Sequence, residues 1–308
     1  MRAPSGLRFV QLFAVGALIA GTWGCGSDEA EPNPQTPEPQ AFTVLTYNVM
    51  CSFCGGGEYD SWDERQRYFA DIFERHDADL IGLQELAFTS EVDQMRELLP
   101  GYEALYYAAS DSPVTYPDAS ILYRASRYEL LERGEYWLSP TPEVPSSTGF
   151  SEGRQLPRLV VWAKLLDRAS ERAVYFASTH VDNNFPSQQL SAPLILERMA
   201  PWVLDAPVVL LGDFNSKPDT EAYRLLIEGG LVNTQALAER WLVDTNESPA
   251  PSYDLDDRID HIFVSHGDDF SVSEWRVDIH QYQTGPGAPL RYASDHFPMV
   301  ATLRSTGR

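Results

Sequence analysis

The chain has 308 residues, 43% of them hydrophobic and 12% aromatic. That composition excludes disorder, collagen and coiled coil for its bulk and allows one large domain or two small ones. Twenty-three basic residues stand against 45 acidic ones, for a formal charge of −22. Such a charge repels nucleic acid at long range but admits a small phosphorylated molecule held through a cation, and three cysteines are too few for a disulfide-built scaffold.

The chain opens with Arg2 and Arg8 around the start of an apolar run of 13 residues, 9–21. That run is too short to span a bilayer and fits a signal-peptide core. Cys25 follows the small residue Gly24, so residues 1–24 are expected to be a lipoprotein leader with Cys25 as the lipidated first mature residue. The expected place is then a membrane surface outside the cytoplasm, the outer membrane or cell surface. Thr22 and Trp23 depart from the usual lipoprotein pattern, which keeps open a plain secretory leader (a secreted or periplasmic protein) and an uncleaved anchor. Residues 26–40 hold four prolines, four acids and no large apolar residue. With Cys25 they read as an extended tether over 25–40. Two bases and four acids precede residue 41, so 41–308 carry 21 bases against 41 acids, or −20.

Residues 41–308 show no repeat or second linker and are expected to form a single domain. Strands are expected at 42–48, 79–84, 119–124, 158–166, 173–180, 207–214, 258–265 and 297–303, runs rich in Val, Ile, Leu and aromatics bounded by turn residues. Helices are expected at 62–77, with Phe69, Ile72 and Phe73 on the apolar stripe, and at 89–99, capped by Thr89 or Ser90. A third should start near Ser191, with Pro193 in its first turn, and a fourth should span 220–228, capped by Asp219 and stopped at Gly229 and Gly230. Strands outnumber helices and several follow one another directly, so an α+β sandwich of two mixed β-sheets is expected.

Apolar strands repeatedly end in polar groups. Asn48 and Glu85 close two of them. His180, with Asp182 and Asn183 behind it, closes a third, and Asp213 with Asn215 a fourth. Asp260 lies inside a strand, and Asp295 and His296 open the last one. Taken singly, Asn48 and Asp213 read equally as turn residues, Glu85 as a solvated strand end and His296 as a satisfied core histidine. Taken together they form an acidic, histidine-containing cleft, because charges on apolar strands are costly to bury unless paired or bound to metal.

The ordered set TYN, IGLQE, THVDNN, GDFNSKPD, RIDHIFVS and SDHFP, from about 42 to 303, resembles the endonuclease/exonuclease/phosphatase superfamily. This superfamily of metal-dependent phosphoesterases includes pancreatic-type deoxyribonuclease, abasic-site endonucleases, inositol-polyphosphate 5-phosphatases and neutral sphingomyelinases. The text between the motifs is similar to a bacterial exported or cytosolic subgroup. The resemblance implies a four-layer αββα sandwich. It implies Mg²⁺ or Mn²⁺ held by Glu85, with Asn48 beside it and Asp295 near it. Asp213 would orient or deprotonate the attacking water, and Asn215 would hold a phosphoryl oxygen. His296 would contact the phosphate, held by Asp260, with His180 and Asn183 on the opposite side. Met50 stands where some nucleases carry a second acidic ligand, Asp182-Asn183-Asn184 replaces the more usual Asp-His after His180, and His261 replaces a common Tyr and reads as a packed strand residue.

Arg158 reads equally as a phosphate contact and as a surface charge at a strand start. Cys51 and Cys54, in CSFC, read as a local disulfide on the rim of the site. A zinc half-site lacks a second cysteine pair, and redox catalysis lacks a thioredoxin-like context. The expected activity is divalent-metal-dependent hydrolysis of a small phosphorylated molecule or a lipid headgroup. An exported nuclease of the same chemistry and a non-catalytic binding module are the alternatives. Nothing in the sequence points to an oligomer.

Overall fold

Alternation along the strands sets the layers. In the segment Val208–Asp213, Val209 and Leu211 enter one apolar core while Val208 and Leu210 enter another on the opposite face. Ile262 and Val264 divide from Phe263 in the same way. The computed structural model describes residues 39–108, 118–153 and 156–306. The leader, Cys25 and all of the tether before Pro39 lie outside the described residues. Among the described residues, no helix is long and apolar enough to cross a membrane.

The chain runs β1 (Ala41–Asn48), α1 (Trp62–His76), β2 (Leu80–Gln84), α2 (Thr89–Leu98), β3 (Tyr102–Leu105), β4 (Ala119–Arg124) and β5 (Tyr128–Trp137). It continues through β6 (Leu159–Asp167), β7 (Arg172–His180), α3 (Ser187–Asp205), β8 (Val208–Asp213), α4 (Glu221–Glu228) and β9 (Leu231–Asn233). The short α5 (Thr234–Leu237), β10 (Trp241–Asp244), β11 (Asp260–Ser265), β12 (Phe270–Asp278) and β13 (Met299–Ser305) complete it. One mixed sheet has the order β10-β12-β13-β1-β2-β4-β3 and the other β5-β6-β7-β8-β11-β9. One core fills the space between the sheets; α1 and α2 cover the first sheet, and α3 and α4 the second. This is the four-layer αββα sandwich that the sequence implied.

Strand direction positions the site. β1 and β2 are parallel to each other and antiparallel to β13 and β4, respectively. β7 and β8 are parallel, and β6 and β11 flank them in the antiparallel sense. The C-terminal ends of four strands and the N-terminal ends of four others therefore meet at one edge of the sandwich. The sheets approach closely: a Cβ on Gly82 would lie 2.1 Å from Leu211 Cδ1. Gly212, at φ +146°, has no room for a Cβ at all, because that atom would meet the Thr179 carbonyl at 1.9 Å.

The buried face of α1 carries Phe69, Ile72 and Phe73, each worth about 1.5–3 kcal/mol of transfer free energy. Ser61 and Glu64 cap this helix reciprocally. Three helix starts differ from expectation. The α2 cap is Phe88 rather than Thr89 or Ser90, and the Glu91 carboxylate accepts the free N–H groups of Ala87 and Phe88 at 2.7 and 3.2 Å. α3 starts at Ser187, a turn before Ser191, and contains Pro193 and Pro201. Both prolines are exposed, so the carbonyls they leave without helical donors can meet water. α4 is capped by Thr220, whose hydroxyl accepts the Tyr223 N–H, and not by Asp219.

Candidate active site

Asn48 is at the centre of the strand-end cluster and is fully buried. Its Nδ2 donates to Glu85 Oε1 and to Asp213 Oδ2, both at 3.1 Å, and its Oδ1 accepts the Met50 N–H at 3.0 Å. One amide therefore joins a carboxylate at the end of the first sheet to a carboxylate at the end of the second. Glu85, in the left-handed region at φ 69°, is further fixed by the Cys51 N–H at 2.9 Å from Oε2. The loop after β1 is held in turn by the buried Arg65, which donates to the carbonyls of Val49, Met50, Cys51 and Ala293. Cys51 and Cys54 are joined as a disulfide.

Two carboxylate–histidine pairs flank this centre. His296 Nδ1 lies 2.7 Å from Asp260 Oδ2, and its Nε2 faces Asp213 Oδ2 at 3.7 Å. Burial disfavours the charged ring, but Asp260, with Asp213 and Asp295, outweighs it and pushes His296 up to about 10. Burial pushes the Asp260 carboxyl up as well, against the pull of His296. On the other side, His180 Nδ1 lies 3.0 Å from Asp118 Oδ1, and its Nε2 lies 3.3 Å from Asp213 Oδ2. Burial and Arg158 oppose protonation of His180, the two carboxylates favour it, and the net shift is upward. Arg158 donates to Asp118 Oδ2 at 2.5 Å. Burial works against the Asp118 anion, but Arg158 and His180 hold its carboxyl well below the usual carboxylate range.

The cleft gathers Asn48, Glu85, Asp213, Asn215, His180, Asp260, His296 and Arg158. Asn215 is in the left-handed region at φ 47°; its N–H donates to Asp213 Oδ1 at 2.8 Å and its Nδ2 lies 3.4 Å from His180 Nε2. Arg158 is no surface charge: it is half-buried against Asp118 and His180. Asp295 is exposed beside His296, its Oδ1 accepting the Ser294 hydroxyl at 3.2 Å. Asn183 takes no part in this network and is exposed. Its neighbours fix the turn instead, Asp182 accepting from Ser151 and from Asn184. His261 packs outside the cleft, against Tyr223 and Phe263. Asp118 and Arg65 were not singled out for the site from the sequence. Asp118 carries the signal used elsewhere, a carboxylate at the end of an apolar strand.

The donors suit a hard cation. Carboxylates of Glu85, Asp213 and Asp260 share the cleft, with Asp295 exposed beside His296, and the buried Asp260 Oδ1 has no hydrogen-bond partner. Asp213, Asp260 and His296 offer ligand atoms within 4.8 Å of one another. His296 Nδ1 is engaged by Asp260, which leaves only its Nε2, facing Asp213, to a ligand, whereas the Glu85 carboxylate offers hard oxygens at the other side of Asn48. Asn48 presents its nitrogen to the carboxylates, so its oxygen reaches a cation only if the amide turns over. The sulfurs near Glu85 are bonded to each other and are not thiolate ligands.

The two-sheet sandwich collects these groups at one edge. Residues 45–296 match the model of the Endonuclease/Exonuclease/phosphatase family, and the chain belongs to that family. A solved member of the family from Bacteroides thetaiotaomicron superposes with a TM-score of 0.75 at 29% identity, covering 87% of this chain and 96% of that one. A mannosyl-6-phosphatase from Bacteroides thetaiotaomicron VPI-5482 superposes with a TM-score of 0.73, also at 29% identity, covering 85% and 99%. Uncharacterized protein L388 of Acanthamoeba polyphaga mimivirus is 25% identical over 182 residues, 56% of this chain and 66% of its own length. The matched region is thus just under two thirds of that relative.

Proposed function

We propose that this chain hydrolyses a phosphoester bond of a small phosphorylated molecule with Mg²⁺ or Mn²⁺. The observation that carries this reading is the Asn48 amide held between Glu85 and Asp213, with a carboxylate–histidine pair on each side. A purely structural role for so many converging acids would be costly, whereas a cation and a phosphoryl group use them. The likeness to a mannosyl-6-phosphatase at 29% identity supports a small monoester as substrate. The charge of −20 on 41–308 weighs against a polynucleotide.

In this reading Glu85 and Asp295 hold the cation, with Asn48 beside them. The cation supplies charge neutralisation at the phosphoryl oxygens and lowers the pKa of water. Asp213, its Oδ1 fixed by the Asn215 N–H, orients the attacking water and takes its proton. His296, kept protonated by Asp260, donates to a phosphoryl oxygen as negative charge develops. His180, Asn215 and Arg158 contact the same group from the opposite side, and Asp118 fixes both His180 and Arg158. The mature chain should release phosphate from sugar or inositol phosphates in a panel that also holds sphingomyelin, RNA and plasmid DNA. Glu85→Gln should abolish turnover and weaken Mg²⁺ binding in calorimetry by about tenfold or more, since a formal charge leaves a hard-cation site. Nucleic-acid cleavage without monoester turnover would replace this reading by the nuclease, and unchanged Mg²⁺ affinity would remove Glu85 from the ligand set.

Location belongs to the same proposal: lipidation of Cys25 would tether the enzyme to a membrane surface through residues 26–40. On expression in a Gram-negative host the wild type should partition into detergent and Cys25→Ala into the aqueous phase. Equal partitioning would refute the anchor.

A further inference from the structure

We infer that Phe53, presented by the Cys51–Cys54 disulfide loop, is a specificity-determining residue that receives the carbon ring of the substrate beside the phosphoryl site. This rests on the hydrolytic reading above and names its substrate class: monoesters of small ring-bearing alcohols.

A cleft of about 290 Å³ opens next to the catalytic cluster. Glu85, Asp118 and Arg158 line its polar side, and Phe53, Leu86, Leu156 and Pro157 line its apolar side. A ligand that fills it must therefore be amphipathic over a short distance, with an anionic end at the cluster and a carbon skeleton against the other wall. The volume is roughly that of one six-membered ring with its phosphate, below the usual range for drug-sized ligands.

Phe53 is 64% exposed, although burying such a ring is worth about 1.5–3 kcal/mol. Its place is nevertheless fixed. The disulfide closes a four-residue turn in which the Cys54 N–H donates to the Cys51 carbonyl at 3.0 Å. The ring also meets Phe88 edge-on, with centroids 6.0 Å apart. The ring is thus held at the wall of the cleft, where it can serve as a platform for the C–H face of a ring whose hydroxyls stay in water. The same loop donates the Cys51 N–H to Glu85, so the platform and the acidic edge move together.

Isothermal titration of the Mg²⁺-loaded chain with cyclohexylphosphonate and methylphosphonate, whose C–P bonds are not hydrolysed, reads this subsite apart from turnover. The wild type should bind the cyclohexyl compound at least about tenfold more tightly. Phe53→Ala should bring the two within about twofold while leaving methylphosphonate affinity unchanged, which also shows that the variant is folded. Phe53→Trp should retain the preference. Equal affinities in the wild type, no binding of either phosphonate, or a ring preference that survives Phe53→Ala would overturn the inference. A ring preference in a chain that hydrolyses none of the panel would overturn the hydrolytic reading and keep the subsite. Turnover without ring preference would overturn the subsite alone.

Discussion

Strand β11 separates two histidine environments. Asp260 points to the inner side and holds His296 at 2.7 Å. The next residue, His261, points to the outer side among the rings of Phe214, Tyr223 and Phe263, at centroid distances of 5.8, 4.9 and 5.3 Å. There its Nε2 donates to the Ser216 carbonyl at 2.8 Å, and the Asn233 amide donates to its Nδ1 at 3.2 Å. At His261 burial, helped by Arg258, outweighs the Ser216 carbonyl and Asp213 and pushes the ring down to about 3, so it is neutral at every physiological pH. Carboxylates overcome burial at His296 and push it up to about 10. His261 has both ring nitrogens hydrogen-bonded, whereas His296 is held at Nδ1 and its Nε2 stands 3.7 Å from Asp213; the charge of the partners divides the two rings as well.

The largest expected effect separates the two rings in kcat. His296→Ala should lower kcat on the identified phosphoester by about 10³-fold, within the usual range for acid–base groups. His261→Gln should change it by less than about twofold. Asp260→Asn should cost less than His296→Ala, because the imidazole stays but loses its orientation. The double variant should resemble His296→Ala alone. Fully multiplicative losses would show that Asp260 and His296 act independently.

Stability against pH should separate them next. Between pH 3 and 6.5 the unfolded chain protonates His261 and the folded chain does not, so stability falls as pH falls. From pH 7.5 to 5 this amounts to about 2 kcal/mol in denaturant titrations, and His261→Gln should flatten that limb. Asp118 and Asp278, whose carboxyls are held low by their cationic partners, contribute stability that is lost only at lower pH, below about 4. For His296 the sign is opposite. Its folded value is raised, so its contribution is complete below about 6.5 and is lost as pH rises towards 10. His296→Ala should therefore flatten the alkaline limb and leave the acid limb in place. The smallest effect belongs to the helix that covers His261: Thr220→Ala removes the α4 cap and should cost about 1 kcal/mol without a change in kcat.

Much of the catalytic edge could be read from the chain because its groups violate strand chemistry. Asn48, Glu85, Asp213 and Asp260 sit where apolar runs end or are interrupted, and the fold brings those ends together. The Asp182-Asn183-Asn184 turn was harder to read, since sequence does not tell which of three small polar residues faces inward. Asp182 and Asn184 hold the turn and Asn183 is exposed. β5 gives no clear strand pattern because it is an edge strand whose charges face water, and β12 gives none because a bulge between Val272 and Glu274 breaks its alternation. Arg65 is by type a helix charge, and its burial under four carbonyls is a property of loops distant in sequence. Helix starts moved because non-local groups supply the caps, as Glu91 does for α2.

The Asn48 amide touches one acid from each sheet, and just behind it Gln84 donates across the same gap to Ser178 at 3.2 Å. The site is thus a gauge of how the two sheets are aligned. A slide of one sheet past the other by about 1 Å would leave every ladder hydrogen bond intact and still separate Glu85 from Asp213, a misplacement that costs roughly a hundredfold in rate. On slow heating, phosphoester turnover should therefore fail at a lower temperature than the far-ultraviolet dichroism of the strands.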